Sequence, residues 1–220
     1  RESVKTILRA LELGINFIDT APVYGFGKSE SVIGSALKEW GKRDGIVLAT
    51  KCGLEWDERE NVQRNSSPER IEYEVDQSLK RLGVDCIDLV QIHWPDSRTP
   101  FESSIRAMQK LQEAGKIRYY GLSNFHKDQV AACLKAGPVY SLQPPYNIFE
   151  REVEKELLPF CVENGIATLG YGGLCRGLLT GNFKGDEEFP KGDLRRFDPK
   201  FKPDRFKQYV TAVEALQKLA

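Results

Sequence analysis

Four side chains that can take part in proton transfer lie near the ends of short apolar segments in the first half of the chain. Asp19 ends INFID, Lys51 ends GIVLATK and His93 ends DLVQIH, whereas Tyr24 lies in the glycine-flanked loop TAPVYGFGKSE. A tyrosine hydroxyl titrates at about pH 10 in water, but a neighbouring ammonium favours the phenolate. A carboxylate can hold that ammonium in place, and an imidazole can hydrogen-bond a substrate carbonyl. Together the four groups suit protonation of a carbonyl oxygen while hydride arrives at the carbon.

Each of these residues taken alone has a simpler structural interpretation. An acid at a strand end can cap the next loop, a lysine can extend its ammonium to solvent, and a loop tyrosine more often packs. A single histidine at a strand end is more often a hydrogen-bonded structural group than a catalyst. The recurrence of four such residues at the same ends of successive elements is what indicates chemistry. Acyl transfer is not indicated, because no serine or cysteine beside a base and no GxSxG turn is found.

The elements that must position these side chains alternate regularly along the chain. Stretches with apolar residues at helical spacing are separated by six β-rich segments: INFIDTA, GIVLATK, CIDLVQIHW, KIRYYGLSNF, VYSLQPPY and IATLGYGGL. Strict alternation of strands and helices predicts a parallel sheet with right-handed crossovers. A chain of 220 residues is long enough for one large α/β domain with a substantial core.

Capping residues predict where several helices begin and end. The first helix is expected to end at Gly14, and Ser29 is a candidate N-cap of the second. Ser67 is predicted to cap a long amphipathic helix with Pro68 in its first position and Gly83 at its end.

Two parallel architectures are compatible with this alternation. A doubly wound sheet usually carries a GxGxxG turn after its first strand, but GFGKSE at 25–30 lacks the third glycine. A (β/α)8 TIM barrel places its chemistry at the carboxyl ends of many strands, which is where the polar residues recur. The long loops 52–66 and 175–203 follow strands on that same face, so they are expected to be parts of a site rather than domain linkers. The pattern favours the barrel.

Composition excludes several other classes of protein. Lys and Arg number 32 and so do Asp and Glu, so the balanced charge gives no reason to expect nucleic acid or an anionic membrane as partner. No apolar run of about 18 residues and no signal peptide is visible. Two histidines make a His-rich metal site implausible, and no metal is expected. The five cysteines form no CxxC pair, which predicts reduced, mostly buried thiols in a cytoplasmic protein.

Beyond these patterns, the sequence resembles the aldo-keto reductases. The resemblance is carried by DTAPVYGFGKSESVIGSAL, LATK, LVQIHW, GLSNF, the Gln of LQPPYN, and GYGGLCRGLLTG, and it extends over nearly the whole chain. The Asp, Tyr, Lys and His of that family match Asp19, Tyr24, Lys51 and His93. The resemblance implies a (β/α)8 barrel in which Tyr24 is the general acid, Lys51 lowers its pKa, Asp19 pairs with Lys51 and His93 orients the carbonyl.

The same resemblance implies a nicotinamide cofactor and assigns residues to it. Ser123, Asn124 and Gln143 would hydrogen-bond the carboxamide, although SNF alone could equally be a helix N-cap. Tyr171 would stack on the nicotinamide ring. The residues expected along the pyrophosphate, with the loop from Cys175 folding over the cofactor, are Leu174, Arg176 and Gly177.

The resemblance defines the substrate pocket and the choice of cofactor less closely than it defines the catalytic residues. Phe26, Trp56 and Trp94 are candidate walls of the substrate pocket, and His126, which begins a helix, is not expected to be catalytic. NADP(H) is expected and NAD(H) is not excluded, because the family's 2′-phosphate motif follows strand eight of the barrel and is absent from this chain.

Two features depart from the family pattern. Gly172 and Gly173 stand where the family usually has Ser-Pro after the stacking tyrosine. The chain is also expected to form a single barrel domain over 1–220 that lacks strands one and eight and is therefore incomplete at both ends.

The leading hypothesis is NAD(P)H-dependent reduction of an aldehyde or ketone to an alcohol, with a small-molecule carbonyl compound as substrate. The alternative is a regulatory or binding subunit of the same family that senses NADP(H) with little turnover. A third, weaker interpretation is a barrel isomerase or lyase that uses Lys51 as a Schiff base, which leaves Tyr24 and Asp19 unexplained. The sequence predicts neither the individual substrate nor the oligomeric state.

Overall fold

Strands and helices alternate in the computed structural model, which describes residues 1–219. The strands are β1 (Phe17–Asp19), β2 (Val47–Cys52), β3 (Leu54–Trp56), β4 (Val62–Arg64), β5 (Ile87–Ile92), β6 (Ile117–Ser123), β7 (Ser141–Gln143) and β8 (Ala167–Thr168). The α-helices are α1 (Glu2–Glu12), α2 (Lys28–Trp40), α3 (Pro68–Leu82), α4 (Phe101–Glu113), α5 (Lys127–Leu134), α6 (Leu157–Glu163) and α7 (Pro203–Gln217). Short 3-10 helices lie at Glu152–Glu154, Cys175–Thr180, Leu194–Phe197 and Pro199–Phe201.

The predicted parallel sheet is confirmed. Six strands pair in the order β1-β2-β5-β6-β7-β8, and every pairing is parallel. Each strand of the sheet thus lies beside the next one in the chain apart from the hairpin β3-β4. The register aligns Asp19 with Ala49 and Cys52 with Ile92. Because parallel strands run the same way, their carboxyl ends meet at one edge, where the predicted polar residues lie.

Burial is greatest in the middle of the sheet. All of β5 is buried, and β2 is buried from Leu48 to Cys52. This agrees with strands that are covered on both faces. Within the described residues β1 and β8 are the outer strands, and Phe17 in β1 and Val47 in β2 are each 38% exposed.

Most predicted helix ends are confirmed, and one cap is wrong. Ser67 Oγ accepts a hydrogen bond from the Arg70 amide at 3.3 Å, with Pro68 first in the helix. Gly83 ends α3 with a φ of 68°. Helix α2 instead begins at Lys28, after Gly27, and Ser29 does not cap it. The hydroxyl of Ser29 instead lies 2.8 Å from the hydroxyl of Thr20, so a tertiary contact replaces the local one.

Two further segments differ from the sequence-based expectation. The loop 52–66 contains an antiparallel hairpin of β3 and β4, which pairs Leu54 with Arg64 and Trp56 with Val62. The stretch EVEKELLPFCVENG has apolar residues at helical spacing, but it divides into a 3-10 turn at Glu152–Glu154 and α6 instead of forming one helix. Helix α6 contains a proline, which cannot donate a backbone hydrogen bond.

The chain divides into two compact units. The first comprises Arg1–Pro144 and Glu154–Leu169 and contains the whole six-stranded sheet. The second comprises Pro145–Val153 and the described residues from Gly170 onward. It has an apolar cluster of its own around α7, formed by Cys175, Leu178, Phe201, Phe206, Val210 and Val213. The expectation of a single domain over 1–220 stays a prediction.

Three further findings bear on the expected class of protein. No helix within residues 1–219 is both long enough and apolar enough to cross a membrane. All five cysteines are free thiols, and four of them are buried. In the same part of the chain, His, Cys, Asp and Glu side chains form no group of three or more that could hold a metal ion.

Helices α2 and α3 lie close together at Gly34. A Cβ at this position would overlap the carbonyl oxygen of Arg81 and come within 3.0 Å of the Leu82 carbonyl. Those neighbours are backbone atoms, so they cannot move aside without shifting a helix. Gly34 therefore sets the spacing of the helix that follows the Tyr24 loop.

We expect Gly34→Ala to destabilise the protein by about 1–3 kcal/mol, because overpacking against backbone outweighs the better helix propensity of alanine. Urea unfolding measures the free energy. Ser35→Ala, at the exposed neighbouring position of α2, is the matched control and should change stability by less than about 0.5 kcal/mol. A stabilised Gly34→Ala protein would contradict the close helix contact.

Candidate active site

The ammonium group of Lys51 is held by three hydrogen bonds at the carboxyl edge of the sheet. Its Nζ lies 2.9 Å from Asp19 Oδ1, 3.0 Å from Asp19 Oδ2 and 2.9 Å from the carbonyl oxygen of Thr20. Only 2% of Lys51 is exposed. Burial lowers the pKa of Lys51, while the charge and hydrogen bond of Asp19 oppose that shift. The predicted pairing of Asp19 with Lys51 is present, and it fixes a positive charge beneath the loop that follows β1.

Tyr24 lies in that loop, with its ring facing Lys51. The centroid of the ring is 5.4 Å from Lys51 Nζ, and Tyr24 is 46% exposed. The loop turns tightly at Gly25 and Gly27, whose φ angles of 63° and 90° favour glycine. The backbone amide of Ser29 donates to the Tyr24 carbonyl at 3.2 Å. A largely buried charge and a solvent-accessible hydroxyl-bearing ring are thus held side by side.

His93 follows β5 and contacts the same tyrosine. Its ring centroid is 5.8 Å from that of Tyr24, with the planes at 82°. Burial, and secondarily the charge of Lys51, lowers the pKa of His93 to about 3. The imidazole is therefore neutral near pH 7 and has one donor and one acceptor nitrogen. The backbone of His93 is fixed on both sides, because its amide donates to Cys52 O at 2.9 Å and its carbonyl accepts from Asn124 Nδ2 at 2.9 Å.

Ser123, Asn124 and Gln143, the residues predicted to bind a carboxamide, lie together beside the four predicted catalytic groups. Ser123 Oγ donates to the Gln143 carbonyl at 3.0 Å, and Asn124 Nδ2 lies 3.1 Å from Ser123 Oγ. Gln143 Nε2 donates to Asp19 Oδ2 at 3.1 Å. Neighbouring strands β6 and β7 place Ser123 and Gln143 in register. The contact between Gln143 and Asp19 was not foreseen, since the two residues are far apart in sequence.

The three aromatic residues predicted as pocket walls divide into two groups. The rings of Phe26 and Trp56 lie 5.4 Å apart, so the Tyr24 loop and the hairpin meet there. Trp94 instead packs under the guanidinium of Arg64, 5.0 Å from its ring centroid. Arg64 belongs to β4, and the hairpin that brings it to Trp94 was not predicted from the sequence.

The second unit contains the other predicted cofactor residues. Tyr171 accepts a hydrogen bond from the Tyr146 amide at 3.0 Å, and the side chain of Leu174 is largely exposed. Arg176 and Gly177 both have positive φ, 54° and 90°, so the backbone turns sharply there. Arg176 Nε donates to Asp198 Oδ2 at 3.0 Å. The turn and its ion pair lie wholly within this unit.

Glu30 is a buried acid that links elements of the first unit, and its sequence context did not single it out. Glu30 in α2 is fully buried, and its two oxygens accept from Thr50 Oγ1 at 2.7 Å and from Arg81 Nε at 2.6 Å. Thr50 precedes Lys51, so Glu30 links the helix after the Tyr24 loop to the strand that carries the lysine. Its only sequence signal is its place in the first turn of a helix, which is equally typical of an exposed acid.

We expect His93 to remain a neutral imidazole between about pH 5 and pH 8, with ¹⁵N shifts typical of one protonated and one unprotonated ring nitrogen, because the pKa of this group lies well below the ordinary value of about 6.5. NMR of the ring nuclei measures this. Lys51→Met should raise the pKa of His93 only in part, since burial is the larger cause. Conversion of the wild-type ring to the imidazolium with a midpoint between pH 6 and pH 7 would show that the ring is hydrated and not buried as described.

Comparison with known proteins places the sequence in a family. The model of the Aldo/keto reductase family matches residues 1–220. "Aldo-keto reductase yakc [NADP(+)]" of Schizosaccharomyces pombe is 39% identical, with 97% of this chain and 64% of that protein covered. "NADH-specific methylglyoxal reductase" of Escherichia coli is 37% identical, with 98% of this chain and 69% of that protein covered. The chain spans about two thirds of the length of the curated relatives it matches.

A solved relative agrees with the fold as well as the sequence. The glycerol dehydrogenase AKR11B4 from Gluconobacter oxydans is 50% identical, with a TM-score of 0.91 over 99% of this chain and 67% of that chain. Relatives of this kind are (β/α)8 barrels, and the six parallel strands with their intervening helices correspond to part of such a barrel. The chain belongs to the aldo-keto reductase family.

Proposed function

We propose that the protein reduces an aldehyde or ketone to an alcohol by hydride transfer from NADP(H), with Tyr24 as proton donor. The observation that carries this proposal is the placement of Lys51 Nζ, bound to Asp19, 5.4 Å from the Tyr24 ring centroid, with His93 on the same ring. When bound, NADPH would supply the hydride to the carbonyl carbon. The residues of the chain hold the substrate oxygen and deliver its proton.

The proton moves from the Tyr24 hydroxyl to the carbonyl oxygen of the substrate. The phenolate left behind carries a negative charge, and the buried Lys51 ammonium, 5.4 Å from the ring centroid, stabilises it. Asp19 keeps the ammonium oriented through two hydrogen bonds. The half-exposed position of Tyr24 gives a substrate access to the hydroxyl and lets solvent return the proton after turnover.

His93 acts in this proposal as a hydrogen-bond donor to the carbonyl oxygen. Its pKa of about 3 leaves it neutral near pH 7, so it has no imidazolium proton to give away. That supports Tyr24, rather than His93, as the source of the transferred proton. A neutral imidazole can still polarise the carbonyl and hold it against the tyrosine.

The residues of each unit fit the cofactor that the proposal requires. In the first unit, Ser123, Asn124 and Gln143 offer hydroxyl and amide groups beside Asp19. Because Gln143 Nε2 donates to Asp19, its oxygen is the end that would accept from a carboxamide NH2 group. These contacts support a role for the three residues in binding the nicotinamide carboxamide.

In the second unit, the proposed phosphate-binding turn offers one cation, Arg176. Positive φ angles at Cys175, Arg176 and Gly177 make this turn sharp, and the amides of Cys175 and Gly177 donate to the Gly172 and Leu174 carbonyls within it. Arg176 adds positive charge, and Leu174 and Tyr171 are the exposed residues proposed to pack on the cofactor. We favour NADP(H), as named for the Schizosaccharomyces relative, but the Escherichia relative is named NADH-specific, so both cofactors belong in the assay.

The substrate is proposed to be a small carbonyl compound. The Phe26–Trp56 pair supplies an apolar wall on the side of the Tyr24 loop, and Trp94 is retained as a further wall. The names of two relatives refer to methylglyoxal and glycerol, both of three carbons. We therefore propose short aldehydes and ketones as the first compounds to assay.

The two alternative functions receive less support. The names of the relatives given above do not support a cofactor-sensing regulatory subunit, because they are the names of reductases and a dehydrogenase. A Schiff-base enzyme requires a free amine at Lys51. The nitrogen of Lys51 instead donates three hydrogen bonds, two of them to a carboxylate, which favours the charged form.

We also propose that the protein works in the cytoplasm. Five free cysteines, most of them buried, are typical of a reducing compartment. The balanced charge continues to give no reason to expect nucleic acid or a membrane as partner.

We expect Tyr24→Phe to lower kcat for aldehyde reduction by about 10²- to 10⁴-fold while leaving NADPH binding unchanged, because only the proton donor is lost. Oxidation of NADPH measures turnover, and cofactor fluorescence measures binding. Tyr119→Phe, at an exposed tyrosine of β6, is the matched control and should behave as wild type. Equal turnover with and without the Tyr24 hydroxyl refutes the mechanism. Tight NADPH binding by wild type without turnover of any aldehyde supports the sensing subunit instead.

Arg176→Met should weaken NADPH binding about tenfold, because a charge-assisted contact contributes about 1.5–3 kcal/mol. The kcat at saturating NADPH should change by less than about twofold, since the residue lies away from the reacting atoms in the proposal. Arg196→Met, at an exposed arginine of the same unit, is the control. An unchanged dissociation constant would remove Arg176 from the proposed cofactor site.

A further inference from the structure

Backbone hydrogen bonds hold the turn at Cys52 and Gly53, which follows Lys51. The Gly53 carbonyl accepts from the Asn65 amide at 3.0 Å, and the Cys52 carbonyl accepts from the His93 amide at 2.9 Å. Gly53 has a φ of 86°, and a Cβ there would lie 2.8 Å from Ser66 Oγ. The turn therefore connects the strand that carries Lys51 directly to the backbone of His93.

The amide of Gly53 donates to a buried carboxylate. Its N–H meets Glu74 Oε2 at 2.5 Å, and the other oxygen of Glu74 accepts from Arg70 Nη2 at 3.1 Å. Glu74 is 2% exposed and lies in α3, a helix that contributes none of the proposed catalytic groups. A buried carboxylate needs such partners, because leaving its charge unpaired would be strongly unfavourable.

We infer that Glu74 is a positioning residue for the proposed reaction: by holding the Gly53 amide, it fixes the turn that follows Lys51, and through the bond from the His93 amide to the Cys52 carbonyl it also fixes the backbone of His93. The inference rests on the proposed function for its catalytic consequence, but the anchoring contact itself is independent of that function. When the Glu74 carboxyl takes up a proton, the ion pair with Arg70 is lost and the bond from Gly53 weakens. The turn after Lys51, and with it the His93 backbone bonded to Cys52, is then held less firmly.

The groups around Glu74 place this change near neutral pH. Burial raises the pKa of Glu74 to about 7, against the opposing effects of Arg70 and the Gly53 amide, and Glu55 in β3 adds a smaller raising effect. The remaining titratable group close by, Cys52 in β2, has its pKa raised well above the ordinary value by burial and by Glu74. The thiol thus stays protonated in this range. Glu74 is the facing group whose charge changes near pH 7.

The kinetic test is the pH dependence of kcat in the complete protein at saturating NADPH and aldehyde, between about pH 5.5 and pH 8.5. Wild type should show an inflection near pH 7, with the lower kcat on the acid side, where Glu74 is protonated. Glu74→Gln should remove this inflection and lower kcat about tenfold at pH 8, because small displacements of reacting groups are costly. Glu72→Gln, at an exposed acid on the same helix, is the matched control and should reproduce wild type.

A second variant gives a directional readout that loss of structure alone would not produce. Arg70→Met removes the cation that stabilises the Glu74 carboxylate, so the inflection should move to higher pH rather than disappear. This variant also keeps the test decisive if Glu74→Gln fails to fold. An Arg70→Met inflection that stays in place or moves to lower pH would overturn the inference.

An NMR measurement separates the inference from the proposed function. Cys-Gly occurs once in this sequence, at Cys52-Gly53, so labelling cysteine carbonyls with ¹³C and glycine amides with ¹⁵N selects the Gly53 signal. The Gly53 amide shift should titrate with a midpoint near pH 7 in wild type and be flat in Glu74→Gln. If no aldehyde is reduced but this titration is present, the proposed function fails and the anchoring role stands. If wild type turns over and either the amide shift is flat or Glu74→Gln keeps the wild-type kinetic profile, the inference is wrong.

Discussion

The hydrogen-bonded charge of Lys51 is the constraint on which the proposed site depends. An ammonium removed from water is strongly unfavourable unless a carboxylate and further acceptors surround it. Asp19 and the Thr20 carbonyl meet that requirement, and both lie at the end of the strand next to that of Lys51. These hydrogen bonds fix strands β1 and β2, and the start of the loop that leads from Thr20 to α2, relative to each other. A charge held so firmly can stabilise a phenolate without rearrangement during the reaction.

The parallel sheet converts this local constraint into a site. Because successive strands run in one direction, residues far apart in sequence reach the same edge, and Asp19, Lys51 and His93 do so from β1, β2 and β5. Further hydrogen bonds hold the strands and the loop that carry these residues. Glu30 ties Thr50 to α3, and Asn124 fixes the carbonyl of His93. These contacts use buried polar groups that satisfy one another, which favours a single geometry over many.

Much of this could be predicted from sequence, and the exceptions have physical causes. Alternating periodicity was enough to predict the six strands, and Ser67, Pro68 and Gly83 defined α3 because caps are local features. Ser29 failed as a cap because its hydroxyl bonds to Thr20 Oγ1 at 2.8 Å, a contact that depends on the folded loop. The contact of Gln143 with Asp19 and the burial of Glu74 likewise depend on tertiary structure. A short hairpin in a polar loop carries too few residues for periodicity to reveal it.

The central claim is that Lys51 acts through Tyr24, and a double-mutant cycle on the rate of aldehyde reduction tests it most directly. Tyr24→Phe, Lys51→Met and the double variant are compared with wild type in single-turnover reduction of one aldehyde, with NADPH binding verified for each. If Lys51 serves to stabilise the Tyr24 phenolate, the double variant should be no slower than Tyr24→Phe alone. If the two losses multiply, Lys51 contributes independently of the tyrosine, and the mechanism described for this site is wrong.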